Sequence, residues 1–183
     1  MWQEISRIGK KLVQGGLVES HFGNISVRKG DKMLITRSGS SLDELGADKI
    51  VEVDVYGTCA LDVIASSETK VHRAIYNNTS AIAIVHAHCP YAVTMSLLQG
   101  DGYITPLDSE GQHFLGNIPI VQGSMGSEEL ARNLAKVLAH NKAAIVYGHG
   151  TFAIGRVLDE AYVFTTQIEH SCRIKYLYDL MHK

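Results

Sequence analysis

Two histidines one residue apart, His86 and His88, close an apolar run, AIAIVHAH, that begins at Ala81. Side chains alternate faces along a strand, so both rings leave on one side, about 7 Å apart at the backbone. Two ring nitrogens at that spacing can converge on one ion, because metal–nitrogen bonds are about 2.0–2.1 Å long. Two core histidines bonded to backbone carbonyls would give the same pattern. A third histidine, His149, sits between Gly148 and Gly150. Flanking glycines let the backbone turn sharply or bring the ring close to another group, although a simple turn histidine would also fit. Glu68 follows Ser66-Ser67 at the expected start of a helix, where a carboxylate is favoured and hydroxyls and free N–H groups can hold an anion. Arg37-Ser38-Gly39-Ser40-Ser41 is a small polar loop of the kind that either connects strands or cradles an anion. Three imidazoles and a carboxylate suit Zn²⁺ or another divalent first-row metal, provided the fold brings them together.

The elements that must do so follow from periodicity. Residues 2–14 carry Trp2, Ile5, Ile8 and Leu12 at helical spacing and stop at Gly15-Gly16. Residues 21–28, HFGNISVR, predict a turn and a strand; residues 33–36 and 50–55 predict two more, and CALDVI, residues 59–64, a returning partner strand. Ser66 or Ser67 is expected to cap a helix running to about Tyr76, with Glu68 in its first turn. Pro90 ends the histidine strand and opens a helix to residue 98. Residues 103–122 are less regular and place Asp108, Glu110 and His113 in a loop or short helix. Ser127 caps a helix to about His140; AAIVY (143–147) is a buried strand that Gly148-His149-Gly150 interrupts and TFAIG resumes. A long helix spans about Asp159 to Leu180. This order predicts one α/β domain over residues 1–183, with a largely antiparallel or mixed sheet covered by helices on both faces.

Composition narrows the function. The formal net charge is −2 and no Lys/Arg run occurs, which argues against a nucleic-acid surface. No apolar stretch reaches membrane-spanning length, and the N-terminus has the period of a helix rather than the apolar core of a signal peptide. Cys59, Cys89 and Cys172 are odd in number and scattered, as expected of free thiols in a reducing cytoplasm. Cys89 should point away from the histidines as a small packing residue.

GNISV, LITRSG, SSE, VHAH and GHG, in this order, resemble the class II aldolase/adducin family, most closely its L-fuculose-phosphate aldolase-like members. The resemblance covers nearly the whole chain. It implies a three-layer α/β/α sandwich around a mainly antiparallel sheet, and a homotetramer with active sites near subunit interfaces. It makes His86, His88 and His149 zinc ligands, with Glu68 as fourth ligand and as acid/base once substrate displaces it. Asn24, Ser38, Gly39, Ser66 and Ser67 match the positions that hold substrate phosphate. The implied reaction is cleavage of a ketose 1-phosphate to dihydroxyacetone phosphate and an aldehyde through a zinc-stabilised enediolate.

The chain departs from the fuculose-phosphate enzymes at two tyrosines. Tyr103 falls several residues early for the first, and the chain ends at Lys183, before the second. Glu110 or Asp108, or a group from a neighbouring subunit, would then protonate the aldehyde oxygen. Related alternatives are a methylthioribulose-1-phosphate dehydratase, which uses a Glu near Glu110, and a sugar-phosphate 4-epimerase, which typically has Asp where this chain has Glu68. A non-catalytic adducin-like scaffold would lack the metal set.

Overall fold

The computed structural model describes residues 1–19 and 21–182. In chain order these form α1 (Trp2–Gln14), β1 (Asn24–Lys29), β2 (Lys32–Thr36), β3 (Ile50–Asp54), α2 (Thr69–Asn78), β4 (Ala83–Ala87) and α3 (Pro90–Gln99). Then follow β5 (Tyr103–Ile104), α4 (Ser109–Phe114), β6 (Ile118–Val121), α5 (Glu128–Leu138), β7 (Ala143–Val146), β8 (Gly150–Gly155) and α6 (Leu158–Met181). The strands make one sheet in the order β3-β2-β1-β4-β8-β7-β6-β5. Every pairing is antiparallel except β6 with β7.

β4 lies inside this sheet, between β1 and β8, and all five of its residues are buried. Its alternation divides the interior. Ala83, Val85 and Ala87 face a core built with α1, α3 and α6, where Ile5, Ile8, Leu12 and Ile168 are fully buried. Ile84 faces a second core with Val71 and Ile75 of α2 and Leu130 and Leu134 of α5. Helices therefore cover both faces, giving the expected three-layer α/β/α sandwich with a mostly antiparallel sheet. Cys89 packs in the first core, opposite the histidines, and all three cysteines are free.

Several local expectations are corrected. Residues 59–64 do not return as a strand: Ala60–Val63 is a 3₁₀ turn, and Leu61 and Val63 are exposed. Arg73 of α2 holds Asp62 with two bonds of 2.6 and 2.7 Å, drawing the segment across the helix and leaving β3 at the sheet edge. α2 begins at Thr69 rather than after a serine cap. The Ser66 hydroxyl accepts from Glu68 N–H (3.2 Å) and its carbonyl from Thr69 N–H (3.0 Å), a tight turn that leaves Glu68 at the helix threshold. TFAIG resumes not in line with AAIVY but beside it, as the second strand of the antiparallel β7–β8 hairpin. Residues 103–122 contain two short strands and α4. Trp2 is partly exposed rather than part of the buried stripe of α1.

Candidate metal centre

His86 leaves β4 on the α2 side, in register with Asn24 of β1 and Phe152 of β8. Its ring stacks on Phe152 at 4.2 Å, and its Nδ1–H donates to the Thr151 carbonyl at 2.9 Å. That bond fixes the tautomer and leaves Nε2 bare as a lone-pair donor. His88 lies just beyond the strand, its ring stacked against Phe22. His149 is delivered by the β7–β8 turn. Gly148 takes the left-handed conformation there (φ 62°), and His149 N–H bonds the Val146 carbonyl at 3.0 Å. Gly150 serves a different need, close approach. A Cβ there would collide with the Ala87 carbonyl oxygen and stand 3.1 Å from His86 Cε1 and 3.2 Å from His88 Cδ2.

The three ring centroids form a near-equilateral triangle with sides of 4.8, 4.9 and 4.9 Å. One nitrogen from each ring lies within 4.8 Å of the other two. His86 Nε2 and His88 Nε2 are 3.1 Å apart, close to the edge of about 3.3 Å expected for nitrogens bound tetrahedrally at about 2.0 Å. Glu68 adjoins through His86, its Oε2 3.1 Å from that Nε2. Both ring nitrogens of His149 and Glu68 Oε1 are shielded from solvent without a hydrogen-bond partner. Buried polar atoms of that kind call for a partner. Burial, reinforced by the neighbouring imidazoles, lowers the pKa of His86 and His88 to about 3, so both are neutral ligands at pH 7. The donor set thus fits a divalent first-row cation.

A polar cleft of about 200 Å³ opens over these groups. Its wall includes Asn24, Ser38, Gly39, Ser66 and Ser67, so the structure gathers every residue singled out in the sequence for metal or phosphate around one space. Gly39 adopts φ 70° in a turn closed by Ser40 N–H on the Arg37 carbonyl, a conformation that a side chain would strain. The Ser38 amide donates to the Ile64 carbonyl, so its hydroxyl is the group available to a ligand. Glu68 is the one carboxylate among the described residues of the wall, and Arg37 adds a cation. Asp108 and Glu110 are not part of this wall. Asp108 caps α4 through Gly111 N–H (2.8 Å) and accepts from Gln167 (2.8 Å), while Glu110 is exposed beside Ser109.

Sequence reasoning missed Thr151, which orients His86, and Ser26, His72 and Tyr76, whose buried hydroxyls and ring extend inward from Asn24. A signal was present: Glu68, His72 and Tyr76 recur every four residues on the buried side of α2.

The family model for the class II aldolase and adducin N-terminal domain matches residues 3–176. L-fuculose phosphate aldolase of Methanocaldococcus jannaschii is 31% identical, over 99% of this chain and 98% of that protein. 3-oxo-tetronate 4-phosphate decarboxylase of Escherichia coli K12 is 29% identical, over 96% of this chain and 85% of that protein. The crystal structure of L-fuculose-1-phosphate aldolase from Thermus thermophilus superposes with a TM-score of 0.92 at 34% identity, covering 99% of this chain and 95% of that one.

Proposed function

The chain belongs to the class II aldolase and adducin N-terminal domain family, and on that premise we propose that it is a metal-dependent carbon–carbon lyase. Its substrate is a ketose 1-phosphate of the fuculose type, cleaved reversibly to dihydroxyacetone phosphate and an aldehyde. The observation that carries this reading is the meeting of three imidazoles and Glu68 at the base of a cleft walled by serines.

In this reading His86, His88 and His149 hold the metal, which we take to be zinc, and Glu68 is its fourth ligand before substrate arrives. The ion would supply Lewis-acid stabilisation for the negative charge that bond cleavage leaves on the dihydroxyacetone fragment. The hydroxyls of Ser38, Ser66 and Ser67, the Gly39 turn and the second Nδ2 hydrogen of Asn24 anchor the phosphate, with Arg37 adding positive charge at the wall. Anchoring fixes the reacting carbon relative to Glu68. Glu68, once freed, moves the proton at that carbon. The proton at the aldehyde oxygen is assigned to a neighbouring subunit of a homo-oligomer, a tetramer by family resemblance. Residues 1–183 act as one domain, and the free thiols suit a cytoplasmic setting.

The decarboxylase relative favours a second reading. A 3-oxo acid phosphate losing CO₂ would leave its electron pair next to a carbonyl in the same way, and Arg37 would suit the added carboxylate. The dehydratase reading is weaker because Glu110 lies outside the cleft of the chain, and the scaffold reading because the whole metal set is present.

The test is product analysis with zinc-loaded protein. Fuculose 1-phosphate should yield two three-carbon fragments, and dihydroxyacetone phosphate alone should exchange a carbon-bound proton with solvent. Glu68→Gln should stay folded and lose that exchange by at least about 100-fold. CO₂ release from a 3-oxo acid phosphate, without aldol cleavage, would move the assignment to the second reading.

A further inference from the structure

Five side chains form an unbroken hydrogen-bonded row that ends on Glu68. Asn24 and Ser26 share one face of β1, and Glu68, His72 and Tyr76 share one face at the start of and along α2, so the two sets meet between sheet and helix. Tyr76 Oη is 2.7 Å from Ser26 Oγ, which is 2.7 Å from His72 Nδ1. His72 Nε2 is 2.6 Å from Asn24 Oδ1, and Asn24 Nδ2 is 3.1 Å from Glu68 Oε2. None of the five is more than 6% exposed.

The row has one direction. An ionised carboxylate only accepts, so Asn24 turns its NH₂ to Glu68 and its carbonyl to His72. A carbonyl accepts, so His72 carries its proton on Nε2 and leaves Nδ1 bare. Ser26 then donates to Nδ1 and accepts from Tyr76. Each bond donates toward Glu68, an arrangement in which neighbouring bonds polarise one another. Burial lowers the pKa of His72 to about 3, so the ring stays neutral and needs this tautomer.

We infer that His72 is a positioning residue: by fixing the Asn24 amide it pins Glu68 Oε2 and leaves Oε1 as the oxygen available for proton transfer. Oε2 stands 3.1 Å from both Asn24 Nδ2 and His86 Nε2, whereas Oε1 has no partner. Without the His72 N–H the amide oxygen loses its partner, and the Asn24 side chain is free to rotate away from the carboxylate that its NH₂ holds. The inference rests on the reading of Glu68 as the proton-transfer group. A row that served only stability would leave turnover unchanged in any variant that folds.

Two measurements test it. In metal-free protein, ¹⁵N NMR of the His72 ring should show hydrogen on Nε2 and a bare Nδ1; the opposite tautomer overturns the inference. In zinc-loaded protein, His72→Phe keeps a flat ring and loses both polar atoms, while His72→Gln keeps an N–H at the reach of Nε2. His72→Phe should lower kcat about 10–100-fold, the range for groups that orient a metal's ligands, with KM and zinc affinity within about threefold. His72→Gln should recover most of the loss. Unchanged kcat in His72→Phe, or equal losses in both variants, overturns the inference. Should His72→Phe fail to fold, Ser26→Ala takes its place: it should mix the His72 tautomers and lower kcat several-fold, and unchanged kcat there counts against the inference. A wild-type protein inactive on every substrate tried would remove the functional reading and leave the tautomer result standing, so the two failures are distinguishable.

Discussion

Histidines dominate the chemistry of this protein, and burial sets their state. His72 and His86 are at most 1% exposed, and with His88 their pKa values fall to about 3. In an unfolded chain each would titrate near 6.5. Between those values the unfolded state binds more protons, so acid favours unfolding. The stability that depends on neutral rings is fully present above about pH 6.5 and is lost as pH falls toward about 3. Metal-free protein should therefore weaken as pH drops from 6.5, by about 1.4 kcal/mol per pH unit for each of the fully buried rings, His72 and His86, and by less for the partly exposed His88. Denaturant titrations between pH 7 and 4.5 check this, and His72→Gln should remove about one proton from the slope. A flat stability profile down to pH 5 would contradict it.

At the scale of elements, two distant segments must meet, and the β7–β8 turn makes that possible. Gly150 lets His149 approach β4 where a Cβ would meet the Ala87 carbonyl and the rings of His86 and His88. Gly150→Ala should destabilise the protein by about 1–3 kcal/mol through overpacking and weaken zinc binding about 10–100-fold by displacing the turn. Gly57→Ala, where an added Cβ meets nothing within 4 Å, should change neither. Equal zinc affinity in both variants would contradict this role, as read by competition with a chelating dye.

The same scale explains what the sequence revealed. The apolar run into His86 and His88, Pro90 at a helix start and the paired glycines around His149 are local patterns, and each formed as expected. CALDVI misled because its alternation suits a strand, while Arg73, eleven positions onward from Asp62, captures the segment instead. Ser26, His72 and Tyr76 went unread because a polar stripe on a buried helix face has no meaning until the strand opposite it is known. Asp108 looked like free chemistry because nothing nearby in sequence indicates Gln167, its partner on α6.

For the molecule as a whole, the sheet is the device that turns sequence separation into proximity. β4 sits between β1 and β8, so Asn24, His86 and Phe152 share one row although 62 residues separate Asn24 from His86. α2 lies over that row and supplies Glu68 from its threshold. Among the described residues no helix is long and apolar enough to cross a membrane, and the fold is organised around an internal polar centre. The most direct measurement of that centre is X-ray absorption spectroscopy of zinc-titrated protein, beside the His149→Ala variant. The account predicts one zinc per chain, with three imidazole nitrogens and oxygen at about 2.0–2.1 Å, and loss of tight binding in the variant. Zinc bound equally well without His149, or with fewer than three imidazoles, would contradict it.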